Sequence, residues 1–98
     1  MDNLNYEDYL AVLNTKFIVQ VEAQNVELDF YQVGEKKTSP GQESFSLEFR
    51  GPKDKFLPQM LYHLKHEKLG DGAIFLVPVG EDAEGLRYQA VFNRLVRA

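Results

Sequence analysis

The 98-residue sequence contains no cysteine and no tryptophan, and it has no long apolar segment. The absence of cysteine excludes disulfides, thiolate metal sites and a cysteine nucleophile, and it fits a reducing compartment. The longest apolar run, residues 73–79, is seven residues long, whereas a membrane-spanning helix needs about 20. Because the first residues form neither a positive segment nor an apolar one, we expect no signal peptide and a cytoplasmic location.

The amino-acid composition is that of a globular protein. Hydrophobic residues make up 44% of it and charged residues 27%, and seven phenylalanines with five tyrosines supply the bulk for one core. A chain of this length suits one domain. We therefore predict a single domain over residues 1–98, with an N-terminal helix over 1–13 and a β meander over 14–95.

Acidic residues outnumber basic ones by 15 to 11, so the net charge is −4. This total argues against a nucleic-acid binder, because affinity for nucleic acids comes largely from neutralised phosphates. The charge is unevenly placed: residues 1–35 carry one cation and seven anions (−6), residues 36–70 seven and four (+3), and residues 71–98 three and four (−1). The acidic and basic thirds could dock head to tail on neighbouring subunits, or the strands could juxtapose them within one chain.

Residues 3–13 predict a short amphipathic helix. Asn3 or Asn5 can cap its start, and Asn14 ends it. Four apolar side chains share one face at helical spacing: Tyr6, Tyr9, Leu10 and Leu13. A helix this short is marginal alone, so this face must pack on the rest of the protein.

After residue 14 the apolar pattern changes to the alternation that is typical of half-buried strands. The phase slips at residues 32–33, which indicates a bulge or the end of the strand. Residues 34–43 are rich in polar and breaker residues and predict an exposed loop. Three runs alternate clearly: residues 16–22, 26–31 and 44–50.

The second half of the chain contains one ambiguous segment. Residues 57–69 fit a helix that has Pro58 in its first turn and Gly70 after its end, and they also fit a strand. The continuous apolar run of residues 73–79 predicts a strand buried on both sides, with Pro78 at its end or on an unpaired edge. An acidic hairpin loop and a final strand are expected over residues 80–85 and 86–95.

These elements predict a mainly β fold. Five or six strands with a helix need two packed sheets or a closed barrel, because a single open sheet leaves one face in water. We expect a short N-terminal helix plus about six antiparallel strands forming a small barrel or sandwich.

The residue types used in catalysis and metal binding form no recognisable site. His63 and His66 are the only histidines; on a strand their rings point to opposite faces, and on a helix they lack further ligands. The carboxylate pairs at 7–8 and 81–82 fit a helix's first turn and a solvated loop. The chain has three serines, none in a nucleophile elbow: Ser39, Ser44 and Ser46. We predict no catalytic, cofactor-binding or metal-binding residues, no cofactor, and a protein that is not an enzyme.

Basic residues beside aromatic ones could also form a nucleic-acid surface. Phe45 and Phe49 share a face with Leu47, however, which favours a place in the core. We therefore expect no nucleic-acid partner and no membrane partner. The basic and aromatic residues considered for such a nucleic-acid surface are five cations and three phenylalanines: Lys36, Lys37, Arg50, Lys53, Lys55, Phe45, Phe49 and Phe56.

Several segments together resemble a known family. They include Phe-Ser-Leu-Glu-Phe from Phe45, Phe-Leu-Val-Pro-Val-Gly from Phe75 and Tyr-Gln-Ala-Val-Phe-Asn from Tyr88. The resemblance, over residues 14–93, is to small bacterial proteins catalogued only as a domain of unknown function and often encoded near proteins that resemble phage tail-collar or tail-fibre components. It implies no activity and no functional residue.

The resemblance also bears on the ambiguous segment. Family members tend to have Gly or Thr before the tyrosine that matches Tyr62 and Pro after the histidine that matches His66, and both features disfavour a helix. Met60 and Leu61 depart from that pattern. We therefore interpret residues 57–69 as a strand.

Two functions of different classes fit the sequence. The first is a non-enzymatic structural, assembly or adaptor module that binds a protein partner, such as a phage-tail-collar-like protein, or itself. The second is a small ligand-binding β-barrel with a pocket among its aromatic residues: Phe17, Phe30, Phe45, Phe49, Phe75 and Phe92. A continuous exposed apolar patch would favour the first, and a pocket above roughly 300 Å³ would favour the second.

Overall fold

The computed structural model describes residues 4–95 and has the predicted mainly β fold. Within these residues, one short helix precedes seven strands. Their bounds are α1 Tyr6–Leu10, β1 Lys16–Val21, β2 Gln24–Val33, β3 Lys37–Ser39, β4 Gln42–Gly51, β5 Met60–His66, β6 Gly70–Asp82 and β7 Gly85–Leu95.

Six of the strands form a closed antiparallel barrel in the order β1, β2, β4, β7, β6, β5, and pairing of β5 with β1 closes it. The pairs β4–β7 and β2–β4 join strands that are not consecutive in the chain, so the strand order is more complex than a meander. β3 pairs only with the start of β4 and lies outside the barrel. The phase slip after the apolar run of β2 is a bulge between Phe30 and Gln32, the first of the two expected alternatives, and β2 continues to Val33.

The barrel interior is filled by its own side chains. Phe17, Phe30 and Phe49 are fully buried and contact one another, with ring centroids 5.2–5.5 Å apart. Tyr88 is also fully buried, and its hydroxyl accepts a hydrogen bond from the Leu57 N–H at 3.0 Å. Burial raises the pKa of the Tyr88 phenol. Small barrels are normally packed in this way.

The N-terminal helix is shorter than the expected 3–13, and residue 3 lies outside the described residues. Asn5 caps it: its side chain accepts from the Asp8 N–H, and the Asp8 carboxylate accepts from the Asn5 N–H, both at 2.9 Å. Tyr9 is buried, as predicted, but Leu10 faces solvent. Because the helix ends at Leu10, the chain turns and buries Val12 instead. In the described part of the chain, no helix is long and apolar enough to cross a membrane.

The ambiguous segment contains strand β5, so the helical alternative is wrong. β5 pairs with β1 on one side and β6 on the other. Its inward side chains are Tyr62, Leu64 and His66, and the residues between them are exposed. Backbone pairing to two neighbours therefore outweighs the helical spacing of this segment's leucines.

Three local expectations need correction. The expected loop over residues 34–43 contains the short strand β3, which turns back into β4 at Pro40 and Gly41. β6 is not buried on both sides, because a barrel has only one interior; Phe75 lies on its outer face. β6 also continues to Asp82, through the expected loop. Pro78 lies beyond the part of β6 that pairs with β5, next to a bulge, as its missing N–H requires.

Candidate binding surfaces

The two histidines do not meet. His63 is exposed on the outer face of β5, 3.5 Å from the Asp71 carboxylate, whereas His66 is buried. Within residues 4–95 no group of three or more histidine or carboxylate side chains could hold a metal ion.

His66 connects the start of β1 to the turn between β5 and β6. Its Nδ1 accepts from the backbone N–H groups of Lys68 and Leu69 at 3.0 and 3.2 Å. The ring proton therefore lies on Nε2, which donates to Thr15 Oγ1 at 2.7 Å, and the Thr15 hydroxyl donates to the Val12 carbonyl. Every polar atom of the neutral ring is thus satisfied, an arrangement typical of a structural histidine.

This network makes stability depend on pH. Burial lowers the pKa of His66; the charge of Lys68 lowers it further, and that of Glu67 opposes the shift. Protonation of His66 at Nδ1 would also place a ring N–H against the backbone N–H groups of Lys68 and Leu69, which now donate to that atom. Because the unfolded chain takes up this proton near the ordinary pKa of about 6.5 and the folded chain resists it, the free energy of unfolding should fall as pH drops from about 7 to 5.

Urea denaturation at a series of pH values tests this expectation. His66→Gln should flatten the fall between pH 7 and 5, because glutamine does not titrate. His63→Gln is the matched control on the same strand: it leaves the His66 network intact, so a fall between pH 7 and 5 should remain. If His66→Gln retained the full fall, other groups would be responsible for it.

The carboxylate pairs have structural contacts. Glu7 lies 3.4 Å from the Lys36 Nζ, and Asp8 is part of the helix cap. The Asp82 carboxylate accepts from Arg50 through both of its oxygens, at 2.6–3.2 Å, and also from two backbone N–H groups in the turn after β6. The Arg50 guanidinium is the main reason that the pKa of Asp82 falls to about 2. Its ion pair therefore persists at all but strongly acidic pH.

One of these ion pairs, between Glu7 and Lys36, connects the acidic and basic thirds of the sequence within one chain. A second surface pair, Lys16 with Asp29 at 2.7 Å, lies inside the acidic third. Strand β2 of the acidic third also pairs with β4 of the basic third and places Asp29 opposite Arg50, as one of the two interpretations of the charge pattern expects.

The aromatic residues of the suggested nucleic-acid set are largely unavailable. Phe45 and Phe49 point into the core, as predicted, and cannot stack on bases. Arg50 is held by Asp82 and lies over the Tyr31 ring at 4.0 Å. Phe56 is exposed in the loop between β4 and β5.

A groove of about 560 Å³ lies outside the barrel, beside the β4–β5 loop and the β6–β7 turn. It is larger than the 300 Å³ that would favour a ligand-binding barrel, but it is an open, mostly polar groove, and none of the six phenylalanines expected to line an interior pocket lines it. Its lining includes opposite charges that pair with each other, such as Lys16 with Glu27 and Asp29.

An apolar patch lies on the outer wall of the barrel. Leu61 of β5 and Phe75 of β6 are directly opposite each other in the sheet and are 64% and 48% exposed. Half-buried Val77 follows Phe75 on the same face. We call these three residues the outer patch. Sequence reasoning missed it because the continuous apolar run of β6 has no alternation that distinguishes inside from outside.

Comparison with known proteins identifies a family for this chain. Neither a curated protein nor a solved structure matches the chain significantly. The model of a family described as a domain of unknown function, DUF6916, matches residues 4–92. The chain therefore belongs to the DUF6916 family.

Proposed function

We propose that this protein is a non-enzymatic structural, assembly or adaptor module that binds a protein partner through its outer patch. The observation that supports the proposal most is the exposed cross-strand pair of Leu61 and Phe75. Large apolar side chains that lie side by side on a surface mark interaction sites more often than single exposed ones do.

The position of the patch suits binding. The two residues are paired with each other in the ladder between β5 and β6, so their backbone is ordered before a partner arrives. Pre-ordered contacts cost less conformational entropy on binding. Covering side chains of this size stabilises a complex by up to about 1.5–3 kcal/mol each. An aromatic residue at the centre of a patch is the usual form of a binding hot spot.

The partner that we propose is a phage-tail-collar-like protein. The support is the gene neighbourhood implied by the resemblance to small bacterial domains of unknown function. The interior of the barrel is occupied by its own phenylalanines, which leaves the outside as the surface for recognition.

An affinity pull-down from the native host, read by mass spectrometry, tests this function. We expect the wild-type chain to enrich a collar-like or fibre-like protein encoded nearby. The double variant Leu61→Ser/Phe75→Ser should lose that protein, because it removes the apolar contact without touching the core. The matched control is Phe56→Ser, which removes an exposed phenylalanine elsewhere and should keep the partner.

Two results would contradict the proposal: a bait without a specific partner, or a partner that the double variant retains in full. Circular dichroism of both variants establishes that each is folded before the comparison is made.

A small ligand-binding barrel is the second candidate, supported by the 560 Å³ groove. Because that groove is polar and charged, its ligand would be polar rather than lipid-like. A thermal-shift screen of polar metabolites against wild type and Asp54→Ala/Glu84→Ala tests it. A stabilising compound that the variant no longer binds would favour this function over the adaptor.

A further inference from the structure

The end of β7 is paired with another strand on one side only. β6 pairs with β7 no further along it than Gln89, whereas β4 continues beside β7 to Leu95. From Ala90 onward, no strand in the described part of the chain pairs with the other side of β7. The backbone N–H and C=O groups of such an edge are the groups that an added strand binds.

β3 also has an unpaired side, but it and the end of β7 differ in how they are protected. β3 has three residues, begins with Lys37 and is followed closely by Pro40. A lysine, a nearby proline and short length are the usual means of preventing edge-to-edge pairing. The free part of β7 is longer, contains no lysine or proline, and displays Val91 and Leu95, which are 57% and 92% exposed.

We propose that the free edge of β7 pairs with the same edge of a second copy of this chain, antiparallel, about a two-fold axis at Asn93. In this register Val91 lies opposite the partner subunit's Leu95, and Leu95 lies opposite the partner subunit's Val91. The exposed aliphatic side chains thus form two cross-strand pairs. Self-complementarity of this kind is what a two-fold interface requires.

The other face of the strand fits the same register. Phe92 lies opposite the partner subunit's Arg94, a pairing that repeats a contact already present within the chain, where the Arg94 guanidinium is 5.4 Å from the Phe92 ring and 5.3 Å from the Phe45 ring. The Arg94 Nη2 atom is buried without a hydrogen-bond partner. A guanidinium over an aromatic ring is favourable.

Neighbouring registers fit less well. An axis at Arg94 would oppose two guanidinium groups, which repel each other. An axis at Phe92 would place Leu95 opposite the partner subunit's Gln89, and Gln89 is already paired with Val77 of β6. The register about Asn93 is the one that avoids both problems.

A paired segment of about five residues buries little surface, so we expect a weak dimer that forms as concentration rises. Sedimentation velocity over a hundredfold range of concentration should show a monomer–dimer equilibrium. Val91→Lys/Leu95→Lys should abolish the dimer, because each lysine then faces a lysine. Val91→Lys/Leu95→Glu has the same bulk but pairs opposite charges across the axis, so it should restore dimer formation.

A cross-link tests the axis itself. Because the chain has no cysteine, Asn93→Cys introduces the single thiol of each copy, and the proposed register brings the two thiols directly opposite each other. Mild oxidation should link this variant into a covalent dimer much faster than Gln89→Cys, which changes the same face of the same strand away from the axis.

Three outcomes would overturn the proposal. They are a chain that stays monomeric at the highest concentration, a dimer that Val91→Lys/Leu95→Lys leaves unchanged, and cross-linking that is equally fast in Gln89→Cys. The outer patch is a separate surface, so Leu61→Ser/Phe75→Ser should still dimerise. Failure of the edge pairing and failure of the adaptor function can therefore be distinguished.

Discussion

Replacing Phe17 with alanine is expected to lower the free energy of unfolding by about 3–5 kcal/mol. The side chain is fully buried, and its ring lies 5.5 Å from Phe30, 5.3 Å from Phe49 and 4.5 Å from His66, measured between centroids. Alanine would leave a cavity in contact with three rings, which the rigid barrel cannot close. Domains of this size have about 5–15 kcal/mol of stability in total, so a large share would be lost. Urea denaturation at pH 7 measures the change.

The matched control is the same substitution at Phe56, whose side chain is 61% exposed. We expect Phe56→Ala to change the free energy of unfolding by no more than about 0.5 kcal/mol. A similar loss for the two variants would contradict the packing described for the barrel interior.

Replacing Tyr9 with serine should produce the second-largest loss, about 2–4 kcal/mol. Tyr9 is fully buried, stacks on Phe92 with centroids 5.6 Å apart, and also contacts the Phe45 ring. Together with Tyr6, whose ring lies 5.4 Å from Phe45, it attaches α1 to the inner face of β4 and β7. For a domain of this size the loss corresponds to a melting temperature lower by more than about 8 °C, which differential scanning fluorimetry can measure.

Leu10→Ser is the control for this prediction, because Leu10 is next in sequence but 45% exposed. We expect its melting temperature to stay within a few degrees of the wild type. If Tyr9→Ser also melted like the wild type, α1 would not be docked on the barrel and its residues would be free for another contact.

Most of the strands could be predicted from the sequence. The alternation of Phe45, Leu47 and Phe49 with polar residues marks both the strand β4 and its inward face, because side chains of a strand alternate between two faces whatever lies beyond them. The start of α1 also depends on residues close in sequence, since the Asn5 cap and the Asp8 carboxylate are three residues apart.

The candidate surfaces could not be predicted in the same way. Phe75 belongs to a run with no alternation, so whether it lies inside or outside depends on the pairing of β6 with β5 and β7. The hydrogen bond between His66 and Thr15 joins residues 51 positions apart. No local pattern contains that contact.

The sequence by itself thus determined the strand-rich fold class, the cap of α1 and the inward residues of the clearly alternating strands, because each depends on neighbours within a few positions. Only the tertiary structure decided that β1 and β5 close a barrel, that Phe75 and Leu61 face solvent, and that the pairing of β7 with β6 stops before β7 ends. Those properties depend on which distant strands pair and where each pairing stops. Backbone hydrogen bonds between strands are nearly the same for any residues that make them, so the order of the strands is chosen by the packing of the whole chain.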